Sequence, residues 1–193
     1  MKIKSFLILA TALLMVACGG NTSNKSKGEE AQAEVAATAM DIDALLASAE
    51  NLVGQEVDIE GICTHICSHG GRKIFLMGSD DTKTIRIESG KLGAFDQKCV
   101  NSIVKVKGML KEERIDEAYL KHWEELEAAN AAEEHGDGEG GCSTEKAARG
   151  ETANTTEQRI ADFRARIAER KEATGKDYLS FYFVEATAYE VLE

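Results

Sequence analysis

A chain of 193 residues is long enough for one real hydrophobic core with some length left over. With 30% charged residues and a formal net charge of −11, it has no electrostatic reason to seek phosphate backbones, and no nucleic-acid partner is expected. Proline is absent, so every connection must be punctuated by glycine or short polar residues.

Residues 1–17 carry Lys2 and Lys4 ahead of the apolar run Phe6 to Val16, followed by Ala17, Cys18, Gly19 and Gly20. A basic start, a short apolar stretch and small residues at the cleavage point make a secretory signal peptide, too short to span a membrane. A cysteine directly after those small residues resembles the lipobox of bacterial lipoproteins, with Met15 where leucine is more usual. The resemblance implies cleavage before Cys18, lipidation of that cysteine and anchoring by several acyl chains. Gly19 is not the aspartate that often marks inner-membrane retention, so the outer membrane is the expected address. Residues 18–40 lack large apolar side chains and read as a flexible tether.

Ile42, Leu45, Leu46 and Leu52 then suggest a short helix capped by Asp41 or Asp43. Gln55 to Cys67 reads as a long strand, with Val57 and Ile59 on one face and, beyond Gly61, Ile62 and Ile66 on that same face. A parity shift across a glycine implies a bulge. Gly70-Gly71 signals a hairpin, Lys73 to Met77 the return strand, and Gly78-Ser79-Asp80-Asp81 the next turn. Lys83 to Glu88 forms a third strand with Ile85 and Ile87 paired. Gly90 to Lys98 is a short link plugged by Leu92 and Phe95, and Ser102 to Leu110 a fourth strand with Val104 and Val106.

This order, with Leu52-Val53-Gly54-Gln55-Glu56-Val57-Asp58-Ile59-Glu60-Gly61 and Val104-Lys105-Val106-Lys107-Gly108, resembles small secreted bacterial OB-fold lipoproteins. The resemblance spans about residues 41–110 and implies a fifth strand, for which Tyr178 to Val191 qualifies. The implied architecture is a five-stranded OB-like β-barrel, residues 41–110 and 177–193, α+β overall. The face of its second and third strands often binds oligonucleotides or oligosaccharides. Here that face holds Arg72, Lys73, Phe75, Lys83 and Arg86, without the stacked aromatics of nucleic-acid binders. Residues 51–110 carry eight basic and seven acidic side chains, so the acidity lies elsewhere.

Residues 111–176 read as a helical hairpin inserted between strands four and five, with 11 basic and 17 acidic residues. Ile115, Tyr119, Trp123, Leu126 and Ala129 recur at helical spacing along a first arm over 112–134. Ile160, Phe163 and Ile167 do so along a second over 157–174. Thr155-x-x-Gln158 fits a capping box and Gly175 a helix stop. Residues 135–155 between the arms, rich in Gly, Glu, Ala and Thr, read as a disordered tip. The hairpin covers the barrel or, if Trp123 is exposed, offers an arm to a protein partner.

Chemistry concentrates in Cys63, His65, Cys67 and His69, which alternate along the first strand. Same-face neighbours lie roughly 7 Å apart and positions four apart about 13 Å. One ion therefore cannot take all four ligands from a straight strand. Cys99 or a bend would have to complete a tetrahedral site, whose sulfur and imidazole donors would suit zinc or copper. With Cys18 lipidated, Cys63, Cys67, Cys99 and Cys142 remain, an even number with three possible pairings. No Cys-x-x-Cys, haem-attachment, nucleophile-elbow, zinc-protease or phosphate-loop motif is present, so catalysis is not expected. Three readings stay open: a tethered, non-catalytic binding module for a ligand not yet specified, a metal- or redox-handling lipoprotein built on the Cys/His row, and an envelope scaffold acting through the helical hairpin.

Overall fold

Asp41 starts the first helix. Its carboxylate accepts the Ala44 N–H at 2.7 Å and so caps α1, Ile42–Leu52, whose Ile42, Leu45 and Ala49 are buried at helical spacing. Asp43 has a different role, accepting from the backbone N–H and hydroxyl of Ser79 at 2.8 and 2.7 Å and tying the helix to a turn of the sheet. A two-residue strand, β1 (Met40–Asp41), runs parallel to the next one. The computed structural model describes residues 39–132 and 142–192, all within one compact unit, Ala36–Glu193. The expected signal peptide 1–17, the expected lipidation site Cys18, nearly all of the expected tether 18–40 and residues 135–141 of the expected tip lie outside the described residues.

The sheet comprises β2 (Glu56–Ile66), β3 (Lys73–Met77), β4 (Thr84–Glu88), β5 (Ile103–Ile115) and β6 (Leu179–Leu192). β2 pairs antiparallel with both β3 and β5, β5 with β6, and β6 runs parallel to β4. The ladder thus closes in the order β2-β3-β4-β6-β5 and back to β2. This is the five-stranded OB-like barrel, with the helical hairpin inserted between its last two strands. Closure leaves no free edge in these five strands. Inside are Val57, Ile59, Cys63, Ile66, Ile74, Leu76, Ile85, Ile87, Val104, Val106, Leu110 and Val184, sealed by α1, by Phe95 and by Cys99 of a single 3₁₀ turn, Gln97–Cys99. The Gly70-Gly71 turn has both residues at positive φ, 79° and 63°.

The parity of β2 departs from the expectation. Pairing with β5 stays regular through Gly61↔Val104 and Ile62↔Ile103, which leaves Ile62 43% exposed and puts Cys63 in the core. The register shift falls between Cys63 and His65, so Thr64 is the extra residue and Ile66 is inward again, opposite Ile74. Gly61 serves packing instead: a Cβ there would stand 2.7 Å from Ile42 of α1 and 2.9 Å from the Met77 carbonyl.

β5 also runs five residues beyond the expected end. Lys111 to Ile115 pair with Phe183 to Leu179, so Ile115 belongs to a strand and not to the first helical arm. On this extension sit α2 (Glu117–Ala132) and α4 (Thr156–Thr174). Their shared core is Ile115, Leu120, Ile160 and Phe163, with Trp123, Ile167, Leu179 and Phe181 around it. Leu120, absent from the expected stripe, is fully buried, whereas Tyr119 and Leu126 are exposed. Arg164 clamps α2 to α4 through two-point contacts with Glu117 and Glu124 at 2.7–3.0 Å. Thr155 accepts the Gln158 N–H and Gly175 ends α4 at φ 76°, as the capping residues imply. Residues 142–155, expected within a disordered tip, instead contain a third helix, α3 (Ser143–Ala148). Among the described residues no helix is long and apolar enough to cross a membrane.

Candidate functional site

Strand alternation sends Ile74 and Leu76 of β3 into the barrel and Lys73 and Phe75 outward; in β4, Ile85 and Ile87 go inward and Arg86 outward. The outer face of these two strands therefore carries one lysine, one aromatic ring and one guanidinium. That face is covered. Phe75 is fully buried although it points away from the barrel core, and α3 packs on the neighbouring β4. Two cavities flank the helix, of about 600 Å³ and about 670 Å³. The first is bounded by Cys67, His69, Arg72, Lys73, Ser89 and Cys142, the second by Phe75, Arg86, Arg149 and Phe181.

Glu145 of α3 occupies the space between them. Its carboxylate accepts from Lys73 Nζ at 3.3 Å, from Arg149 Nη2 at 3.2 Å and from Arg86 Nη1 in a close contact. Glu113, on the β5 extension, accepts from the same two arginines, at 2.6 Å from Arg149 and 3.3 Å from Arg86. Arg86 also lies 3.3 Å from Glu88 and stacks 4.7 Å from the Phe183 ring centroid, and Arg149 stacks on Phe181 at 5.4 Å. Side-chain exposures of 11% for Arg86, 13% for Arg149 and 17% for Glu145 place the cluster largely out of water, where charge pairs interact strongly. Burial pushes the Glu145 carboxyl up, but Arg86, Lys73 and Arg149 outweigh it and hold the group below the usual carboxylate range. The contact thus contributes stability above the ordinary glutamate value of 4.5 and loses it as pH falls through the lower folded-state value.

Of the five residues expected on a ligand face, Arg72, Lys73, Phe75 and Arg86 come together around α3. Arg72 donates to the Gly90 carbonyl at 2.8 Å and lines the first cavity. Lys83 lies in the turn before β4, exposed and lining neither cavity. Ser89, 1% exposed, borders the first cavity, and its hydroxyl is buried without a hydrogen-bond partner. The comparisons with known proteins are silent. No protein-family model, no curated protein and no solved structure matches the chain.

The Cys/His row does not share one face, because the bulge at Thr64 splits it. Cys63 is sealed in the core near Cys99, and burial pushes its thiol up to about 11; burial raises Cys99 as well. His65 faces outward, 6.0 Å from the Phe75 ring, with Nε2 3.1 Å from Cys142 Sγ at the start of α3. Cys67 Sγ lies 4.0 Å from His69 Nδ1 beside the first cavity. Among the described residues no three His, Cys, Asp or Glu side chains are arranged to hold a metal ion, and the four cysteines are free thiols. Zinc or copper thus has no assembled site in Cys63, His65, Cys67, His69 and Cys99 as placed. Trp123 is half-buried against Phe163 under the Arg159 guanidinium, 4.6 Å from its ring, and so is not an exposed partner anchor.

The sequence singles out Cys142 only as one of four thiols, without its partner His65, and does not single out Glu145, Glu113 or Arg149. These four lie 27–77 residues from their partners on the barrel, in or beside stretches without hydrophobic periodicity. The only local signal was Ser143-Thr144-Glu145 ahead of Ala147-Ala148, a helix start with small residues behind it.

Proposed function

We propose that the chain is a membrane-tethered, non-catalytic binding module of the cell envelope, lipid-anchored through Cys18 in the outer membrane and engaging its ligand on the outer face of β3 and β4. The anchor is supported by Lys2, Lys4, the apolar run and the small residues around Cys18. The binding reading is carried by one observation: Lys73, Phe75 and Arg86 converge on that face beside a cavity of about 600 Å³ whose wall also holds Arg72. Concave space with a few fixed polar groups and an apolar floor is how binding sites are built. Thermal unfolding of the detergent-solubilised full chain tests it, with oligoglutamate, heparin oligosaccharide and neutral maltooligosaccharide as probes. At least one probe is expected to raise Tm by several degrees at saturation, and Lys73→Ala to remove the rise. No shift with any probe counts against the reading.

The 3.1 Å approach of Cys142 Sγ to His65 Nε2 favours a second reading, thiol or metal handling. A nearby imidazole is what makes a thiol reactive, and this pair replaces the row that includes Cys63. Thiol titration of the native chain is expected to show Cys142 reacting first while Cys63 and Cys99 stay silent until unfolding. A single phase for all four thiols, or a slow Cys142, removes this reading.

A further inference from the structure

We infer that α3 is a built-in stand-in for the ligand, and that the ligand of the β3–β4 face is an acidic segment of another protein chain. This rests on the binding-face reading above and adds what the face takes and how it is kept closed. The observations concern complementarity. Three cations from three separate elements, Lys73 of β3, Arg86 of β4 and Arg149 after α3, point their donors at one carboxylate, that of Glu145. Two of the three belong to the barrel itself, so the barrel presents a carboxylate receptor whether or not α3 is seated. Ala147 and Ala148 follow Glu145 along the rim of the second cavity, with their small side chains exposed. The face is thus shaped for a carboxylate carried on a segment with small neighbours, and Glu145-Lys146-Ala147-Ala148 is such a peptide.

The fit is incomplete on one side, and that side is informative. Glu145 fills the junction of the two cavities, yet α3 leaves the first open, with Arg72 in its wall. Arg72 is exposed there, a cation that a longer acidic ligand meets and Glu145 does not. A six-residue helix without a buried residue of its own is held by those charge contacts, by the Cys142–His65 approach and by Arg149 against Phe181. Such a segment is replaceable by a competitor offering the same carboxylate plus a second one for Arg72. A tethered occupant lowers the apparent affinity of any competitor by the fraction of time the face is free.

Isothermal titration of the full chain with an oligoglutamate peptide ending in Ala-Ala tests this, comparing wild type with Glu145→Gln. The variant keeps the side chain's shape, removes its charge, and is expected to bind the peptide about 10-fold tighter or better. Glu145→Lys, which repels the same cations, is the second variant and is expected to behave alike; the melting temperature of each reports that the barrel is folded. Equal affinity in wild type and both folded variants overturns the stand-in. Binding of heparin oligosaccharide but not of the peptide, lost in Lys73→Ala, overturns the acidic-peptide assignment while leaving the binding face. Absence of binding by every probe to every variant removes the binding face and the inference together.

Discussion

Replacing Arg86 with alanine is expected to release α3 from the barrel while the barrel stays folded. Arg86 is the hub of the covered face: it touches Glu145, Glu113 and Glu88 and stacks on Phe183. Truncating it leaves the Glu145 and Glu113 carboxylates largely out of water with only Arg149 and Lys73 to offset them. Removing one partner of a buried ion pair costs about 3–5 kcal/mol when the other charge must stay. Here it need not stay. Undocking α3 returns Glu145 to solvent, so the strain is relieved by that movement and not by unfolding. Ile85 and Ile87, the inward neighbours in β4, keep their core contacts. The expected readout is rapid proteolysis between Arg149 and Thr155, with only a small fall in the melting temperature. Acid should copy the mutation, since protonating Glu145 below its folded-state value removes the same contact. Arg86→Ala that resists proteolysis as the wild type does would show that α3 is held by something else.

Gly108→Ala is expected to damage the barrel itself. Gly108 faces inward where β5 passes between Val57 of β2 and Ala186 of β6, next to a register shift in the β5–β6 ladder. A Cβ there would stand 2.4 Å from the Glu185 carbonyl, 2.7 Å from Val184 Cγ1 and 2.9 Å from the Ala186 Cα. Two of these are backbone atoms of a paired strand, so no rotamer change relieves the overlap. Overpacking without an escape costs about 3 kcal/mol, which for a chain of this size lowers the melting temperature by roughly 10 °C. Gly54→Ala is the contrast: nothing lies within 4 Å of its Cβ position, and only the left-handed backbone at φ 80° resists the change. That costs about 1 kcal/mol. A Gly108→Ala melt no lower than that of Gly54→Ala would contradict the account of the closure.

These two residues mark where sequence reasoning succeeds and where it stops. Glycine before a bend, paired isoleucines in Ile85 and Ile87 and the Thr155 cap are local signals, and strand order follows from them. The outward placement of Lys73, Phe75 and Arg86 follows from alternation alone. The bulge does not. Gly61 looked like its site because glycine tolerates bends, but the ladder stays regular there and shifts at Thr64, whose hydroxyl donates to the Phe75 carbonyl. One residue of difference exchanges Ile62 for Cys63 in the core and splits the Cys/His row. Residues 112–115 read as a helical start because Ile115 falls in register with Tyr119 and Trp123; they are strand because Tyr182, Phe181 and their neighbours in β6 pair with them. α3 has no large apolar residue to announce it. Its position is set by long-range charge pairing with Lys73 and Arg86, 72 and 59 residues away, which no local pattern encodes.

Amide hydrogen exchange across residues 143–149 of the full chain, with and without an oligoglutamate peptide, tests the central claim most directly. The account predicts measurable protection of α3 in the free protein, loss of that protection as the peptide saturates, and unchanged protection in β3 and β4. Greater protection of α3 on adding peptide, or bound peptide that leaves α3 exchange unaltered, would contradict the claim that Glu145 holds the ligand's place.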